Sequence, residues 1–251
     1  MVIVNVLHAL YVVDFFVHEA WYLIRLLSLC SSQPTTDSGR RYLGTIDMTH
    51  DHFGFYLAWG SAAWLPTIYT LQVQYLARHP VQLPWPVAAA VLAVGLAGYA
   101  LFRSVNWQKD IVRRTNGDCE IWGRKAKVLL CRFKTADGRE HVSPLLLSGE
   151  SCSLPYPLTT GLLVNSVLKL VLLGWWGIAR HFNYTGDLML TYAMCATCGV
   201  DHLVPWAYAL FMTYILIHRV FRDDTRCRAK YGSQWDAYCA LVPWRLIPGI
   251  W

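Results

Sequence analysis

The chain has 251 residues, 55% of them hydrophobic and 14% aromatic, with charged residues at 15%. A soluble domain carries about a quarter charged residues, so this composition excludes an ordinary soluble globular protein and points to a membrane protein. The formal net charge of +6 comes from basic residues grouped beside apolar runs, which is the positive-inside pattern rather than a nucleic-acid signal.

The first apolar segment is Val2 to Leu29. It has no basic n-region, and Asn5, Asp14 and Glu19 interrupt it, so no cleavable signal peptide is predicted. Acidic groups at membrane depth face a cavity or a partner. For Glu19, a pair with an arginine of another helix and a place in a substrate cavity stand equal. Cys30 to Gly44 is polar and turn-rich and reads as a loop. His50, Asp51 and His52 follow; three adjacent side chains do not converge on one ion from a regular helix.

Phe53 to Ala77 is long enough to span a bilayer, with Gln72 and Gln74 toward its end. Pro84 to Phe102 is a charge-free span. In it Ala89, Ala93 and Ala97 recur every fourth residue, a face suited to close helix packing. Arg103 to Ser143 is a basic interlude, expected in the cytosol. Its charge also suits phosphate oxygens, and Lys109 and Arg113, four apart, share one helix face.

Gly174 to Asp187 packs Trp175, Trp176, Arg180, His181, Asn183, Tyr184 and Asp187 between apolar flanks. Two readings are open: an aromatic belt at headgroup level with Arg180 snorkelling, or polar groups held against protein or a ligand, because lipid offers them no partner. Asp187 to Val200 and Leu203 to Phe221 then form a helical hairpin. Cys195, Cys198 and His202 have metal-ligand spacing, but no second ligand pair follows, so the cysteines read as small apolar residues and no metal is expected. Beyond the hairpin, Arg222, Arg226 and Lys230 fall on one helical stripe, and Asp223, Cys227 and Tyr231 on the next. No GxGxxG follows a predicted strand and no Walker loop occurs.

The run Trp-Trp-Gly-x-Ala-Arg-His-x-Asn-Tyr-x-Gly-Asp, from Trp175 to Asp187, resembles the C-terminal signature of the sterol reductase family, polytopic membrane enzymes that reduce sterol double bonds with NADPH. His50-Asp-His-Phe-Gly54 is similar to the Δ7 branch of that family, and Val242 to Trp251 resembles its C-terminus. The resemblance covers most of the chain except 30–44 and 150–173. It implies an all-α, polytopic helical membrane domain over 1–251, with the family's N-terminal spans missing. The protein would be a multi-pass protein of the endoplasmic reticulum with a cytosolic C-terminus. The reaction would be NADPH-dependent reduction of the sterol C7–C8 bond. Partners would be the sterol and the bilayer, with no nucleic acid.

The resemblance further implies that Lys109, Arg113, Leu146, Trp176, Asn183, Tyr184, Asp223, Cys227, Arg228, Ala229, Lys230, Tyr231 and Tyr238 contact the cofactor. Asp223 and Tyr238 are the candidates for the proton-donating network. Arg180, His181 and Asp187 are expected to hold the signature loop in shape. Rival readings are a Δ14 or C24 reductase of the same family, or a non-catalytic sterol-binding membrane protein.

Topology speaks against 150–173 as a crossing. The basic loop ending near Ser143 and the cluster Arg222 to Lys230 should both face the cytosol, so an even number of crossings separates them. The helical hairpin supplies two, and a third at Leu158 to Trp176 would move the C-terminal cluster to the other side. Both non-matching segments are therefore expected to be intron-derived, and the chain as written is expected to be inactive alone.

Overall fold

The computed structural model describes residues 1–14, 58–134, 140–149 and 174–251. It divides into two compact units, Met1–Leu96 with Met189–Met212, and Ala97–Leu188 with Thr213–Trp251. Glu19, the His50-Asp51-His52 run and both non-matching segments lie outside the described residues.

In the first unit, α1 is Val2–Asp14. The run expected as one span over 53–77 is instead broken where it is described. A π-helix covers Gly60–Tyr69, and α2, Leu71–Arg78, restarts after Thr70. Pro66 inside the π-helix has no N–H to give, and its ring crowds the preceding turn. Its carbonyl is taken by Thr70 Oγ1 at 2.8 Å and Gln74 Nε2 at 2.9 Å, so the polar residues of this run serve the break. Gln72 is fully buried and donates to Cys195 Sγ at 3.3 Å, while Cys198 Sγ donates to the Gln72 carbonyl at 3.6 Å. The two thiols of the Cys-x-x-Cys are thus engaged in helix packing.

The long helix α3, Trp85–Arg114, starts in the first unit and ends in the second. Its 30 residues extend about 45 Å, well beyond the roughly 30 Å of a bilayer core. The surplus carries Lys109 and Arg113 past the apolar part. Helix α4 is Phe182–Ala196 and helix α5 is Ala207–Tyr231, the expected hairpin with shifted ends. Helix α3, and α5 with the short turn before it, are long and apolar enough to cross a membrane. The close-packing face of α3 is not the alanine stripe: Ala89, Ala93 and Ala97 are exposed. In the second unit close approach occurs where Gly186 of α4 meets α3, and a Cβ there would lie 2.7 Å from both the Gly98 carbonyl oxygen and the Phe102 amide. Glycine lets the two backbones approach nearer than alanine allows.

The basic interlude departs from the all-α expectation. It folds into a three-stranded antiparallel sheet of β1 Glu120–Ile121, β2 Arg124–Lys134 and β3 Glu140–Gly149. Trp122 and Gly123 take φ of 53° and 73° between β1 and β2, the two left-handed positions of a tight hairpin turn. A register shift between Lys127 and Val128 changes which parity of β2 faces inward, so Ala126 and Cys131 are both buried. Lys125, Lys127, Leu130 and Arg132 face outward. The sheet joins two apolar clusters of the second unit. Ile121 and Ala126 pack with Val105, Val112, Trp176 and Phe182, while Cys131 packs with Tyr231, Trp235, Tyr238 and Val242. The last two residues of the second cluster flank the end of α6, Ser233–Leu241, which also receives β2 through a bond from Arg132 N–H to Gln234 Oε1 at 2.9 Å.

Candidate functional site

The site is built from the polar end of α3, the signature loop, α5 and α6, all within the second unit. The signature loop turns on Gly174, whose φ is +70°, and then makes a single 3-10 turn at Trp175–Gly177. Helix α3 fixes that turn with side chains one face apart. Gln108 Oε1 accepts the Trp175 N–H at 3.0 Å, Ser104 Oγ accepts the Trp175 indole N–H at 2.7 Å, and the Val105 carbonyl accepts the Trp176 indole N–H at 2.9 Å. Trp176 is therefore held with its ring 4.8 Å from Lys109 Nζ, a cation–π pair. Strand β3, which carries Leu146 opposite Val128, packs beside this turn.

The next residues enter α4. Asn183 is buried; its Nδ2 reaches Asn106 Oδ1 at 3.4 Å and its Oδ1 has no partner. Tyr184 stacks on His181 with ring centroids 5.2 Å apart and planes 10° apart. His181 Nε2 in turn stands 3.9 Å from Asp223 Oδ2. Burial pushes His181 down from 6.5 to about 4, against the opposing pull of Asp223, so it is neutral at pH 7.

On α5 the two predicted stripes separate by exposure. Arg222, Arg226 and Lys230 are exposed, whereas Asp223 and Cys227 are half-buried and Tyr231 is buried. Asp223 and Cys227 lie within electrostatic range of both Lys109 and Arg113, and Tyr231 lies within range of Arg113. Among the expected cofactor contacts, Lys109, Tyr184, Asp223 and Cys227 are half-buried, between two extremes. Trp176, Asn183, Tyr231 and Tyr238 are buried, whereas Arg113, Arg228, Ala229 and Lys230 are exposed. Asp223 also receives Arg226 at 2.8 Å, and Arg228 pairs with Asp236 of α6 at 3.1 Å.

Tyr238 is buried against Trp235, with ring centroids 5.2 Å apart. Burial raises its hydroxyl far above the usual tyrosine range, so it stays protonated across neutral pH. No hydrogen bond among the described residues joins Asp223 to Tyr238. What the two share is Cys227, which is in range of both.

Arg180 and His181 do hold the loop, but through their backbone. Arg180 N–H donates to the Trp244 carbonyl at 3.0 Å and His181 N–H to the Arg245 carbonyl at 2.9 Å. Asp187 is half-buried on α4 within range of Arg219. Trp235 is expected beside Tyr238 as a continuation of the cofactor wall, whereas a residue reading overlooks Asp224 and Arg245. Asp224 accepts the Trp235 indole N–H at 2.8 Å and pairs with Arg245 at 3.5 Å. The one sequence signal is the doubled acid Asp223-Asp224, of which a stripe pattern uses only the first.

Two helices are thus long and apolar enough to cross a membrane, and cationic and aromatic side chains gather at the polar end of α3. Comparison defines the class. The model of the ergosterol biosynthesis ERG4/ERG24 family matches residues 1–251, and the chain belongs to that family. It is 46% identical over 250 residues to 7-dehydrocholesterol reductase of Xenopus laevis and, over 250 residues, 46% identical to that of Danio rerio, covering 100% of the chain and 43% of each relative. It is 34% identical over 210 residues to 7-dehydrocholesterol reductase of Arabidopsis thaliana, covering 84% of the chain and 43% of that relative. The chain thus spans under half the length of these relatives.

Proposed function

We propose that the second unit forms the NADPH site of a sterol Δ7-reductase, an enzyme that reduces the C7–C8 double bond of 7-dehydrocholesterol. The reading rests on the family and on the names of the relatives. The observation that carries it is the facing of the Asp223, Cys227 and Tyr231 stripe toward Lys109 and Arg113, beside Trp176. The residues fit the group. Exposed Arg113, Arg228 and Lys230 suit phosphate oxygens, and the buried end offers aromatic rings and the unpartnered Asn183 Oδ1, an acceptor for an amide N–H.

When bound, NADPH supplies the hydride. The chain's own residues do the rest. Lys109, Arg113, Arg228 and Lys230 hold the anionic end, with Ala229 leaving room between the last two. Trp176, Asn183, Tyr184, Tyr231 and the strand of Leu146 orient the planar end, and Cys227 closes the wall between them. A diene with no electron-withdrawing group accepts hydride poorly, so a proton must reach it first. Tyr238, kept protonated by burial, donates it, and Asp223 supplies the charge that stabilises the cation formed on the sterol. The surrounding helices form a multi-pass bundle in the endoplasmic reticulum membrane, with these cationic ends and the C-terminus in the cytosol. NADPH titration of the full-length protein in nanodiscs, with product analysis on 5,7-diene, 8,14-diene and 24-ene sterols, tests the reading. Conversion of the 5,7-diene alone is expected; conversion of another sterol alone, or of none, overturns it.

A further inference from the structure

The C-terminal segment Val242–Trp251 carries no helix, yet it is bonded to the signature loop at three successive carbonyls. Trp244, Arg245 and Leu246 accept, in order, Arg180 N–H at 3.0 Å, His181 N–H at 2.9 Å and Thr185 Oγ1 at 2.9 Å. The segment is itself folded back, with the N–H groups of Arg245, Leu246 and Ile247 all donating to a backbone oxygen of Trp251 at 3.0, 3.0 and 3.2 Å. Arg245 is the hub. Its guanidinium lies between two rings, 5.4 Å from Phe221 and 5.5 Å from Trp251, and reaches Asp224 at 3.5 Å. Phe221 and Asp224 belong to α5, on either side of Asp223. Arg245 therefore grips α5 with its side chain and the signature loop with its backbone.

We propose that Arg245 is a positioning residue that sets the facing of His181 and Asp223, and through it the orienting of Tyr184 in the cofactor site. Its use in cofactor binding rests on the function proposed above; its hold on His181 does not. The geometry gives the chain of cause. Without the guanidinium, Asp224 keeps the Trp235 indole and the charges of Arg180 and Arg228, α5 is tied to the C-terminal segment through the Phe221–Trp251 ring contact in place of an ion pair, and His181 loses the fixed height from which it meets Asp223.

The test uses the full chain in nanodiscs with Arg245→Leu, Arg245→Lys and Asp224→Asn, and Leu216→Ala as a control. Leu216 is buried on α5 away from the grip, so its truncation costs stability alone. The first readout is the titration midpoint of His181, followed by imidazole carbon NMR without nucleotide. The groups that face His181 are Asp223, Lys109, Arg180 and Asp224. Arg245→Leu is expected to raise the midpoint by at least one pH unit, as water reaches the ring. Asp224→Asn should lower it, because the Asp224 charge favours the protonated ring, and Arg245→Lys should restore the wild-type value. The second readout is NADPH affinity, expected to weaken about tenfold in Arg245→Leu and under threefold in Arg245→Lys. An unmoved His181 midpoint in Arg245→Leu overturns the proposal, as does an equal shift in Leu216→Ala. Should Arg245→Leu fail to fold, Phe221→Leu, which removes one of the two rings that hold the guanidinium, takes its place, and an unmoved midpoint there overturns the proposal. If the wild type binds no NADPH, the proposed function fails while the His181 readout still decides the role of Arg245.

Discussion

Lys109 stands 4.8 Å over the ring of Trp176, and the ring is fixed there because its indole N–H is spent on the Val105 carbonyl of the same helix that carries the lysine. The cation and its aromatic partner are thus a preformed pair with one planar and one charged face. Arg113 lies one turn further along α3 and is exposed, where a 2′-phosphate would meet it. Arg113→Ala is expected to weaken NADPH binding by about 1.5–3 kcal/mol, the worth of a charge-assisted contact, and to leave NADH binding nearly unchanged. Paired titrations with the two dinucleotides measure this. Equal loss for both would remove Arg113 from the phosphate end.

Tyr238→Phe deletes one buried hydroxyl and little volume. Turnover should drop while NADPH affinity holds, since the lost group acts in the transition state. Asp223→Asn should also slow turnover. As no hydrogen bond joins the two, their effects are expected to multiply in the double variant. A double variant no slower than the worse single one would show that the two act as a single unit.

His181 makes stability depend on pH. Its folded value of about 4 lies below the usual 6.5, so between those values the unfolded chain binds more protons than the folded one. Stability is fully present above about pH 6.5 and is lost as pH falls through that window toward 4. The melting temperature of the wild type, compared with His181→Asn across pH 4 to 7.5, reads this out. The variant's curve should be flatter on the acid side, and parallel curves would show that the ring titrates freely in the folded state.

Gly186 is the close approach of α4 to α3. A Cβ there meets backbone atoms at 2.7 Å, which a rotamer change does not relieve. Gly186→Ala is expected to destabilise by about 1–3 kcal/mol, the usual cost of overpacking. Thermal unfolding in one detergent, with Gly60→Ala as the unhindered comparison, checks it. Equal melting temperatures for the two variants would refute the crowding.

The legible part of this molecule is what helical spacing encodes. Lys109 with Arg113, and Asp223 with Cys227 and Tyr231, are separated by three or four residues, so their common face follows from the sequence alone. The strands β1 and β2 escape a reading led by charge, although the Trp122-Gly123 turn between them signals a hairpin. The alanine stripe misleads because small residues permit close packing without requiring it, and the glycines of the same helices do so better. The grip of Arg245 is hidden for another reason. The three loop contacts of its segment are accepted by the backbone carbonyls of Trp244, Arg245 and Leu246, and no residue identity announces a carbonyl.

The two segments outside the family signature give the last prediction. Residues 150–173 part the Leu-Leu-Leu-Ser-Gly of β3 from the Trp-Trp-Gly turn. The elements that flank them are neighbours in space, since β3 packs beside Trp175–Gly177. That turn takes its hydrogen bonds from α3, at Ser104, Val105 and Gln108. A direct join of Gly149 to Gly174 therefore leaves every described anchor of Trp176 in place, and it keeps the even number of crossings that the charge pattern requires. We propose that this segment, and with it residues 30–44, is intron-derived or otherwise spliced in. A chain lacking 150–173 is expected to bind NADPH at least tenfold more tightly than the chain as written, and removing 30–44 as well should not reverse the gain. Tighter binding by the uncut chain would refute the excision idea at the level of the protein. Transcript reads across Gly149 to Gly174 decide it at the level of the gene: a majority that join the two glycines directly is the expected result, and reads that uniformly retain Glu150 to Leu173 would end the proposal.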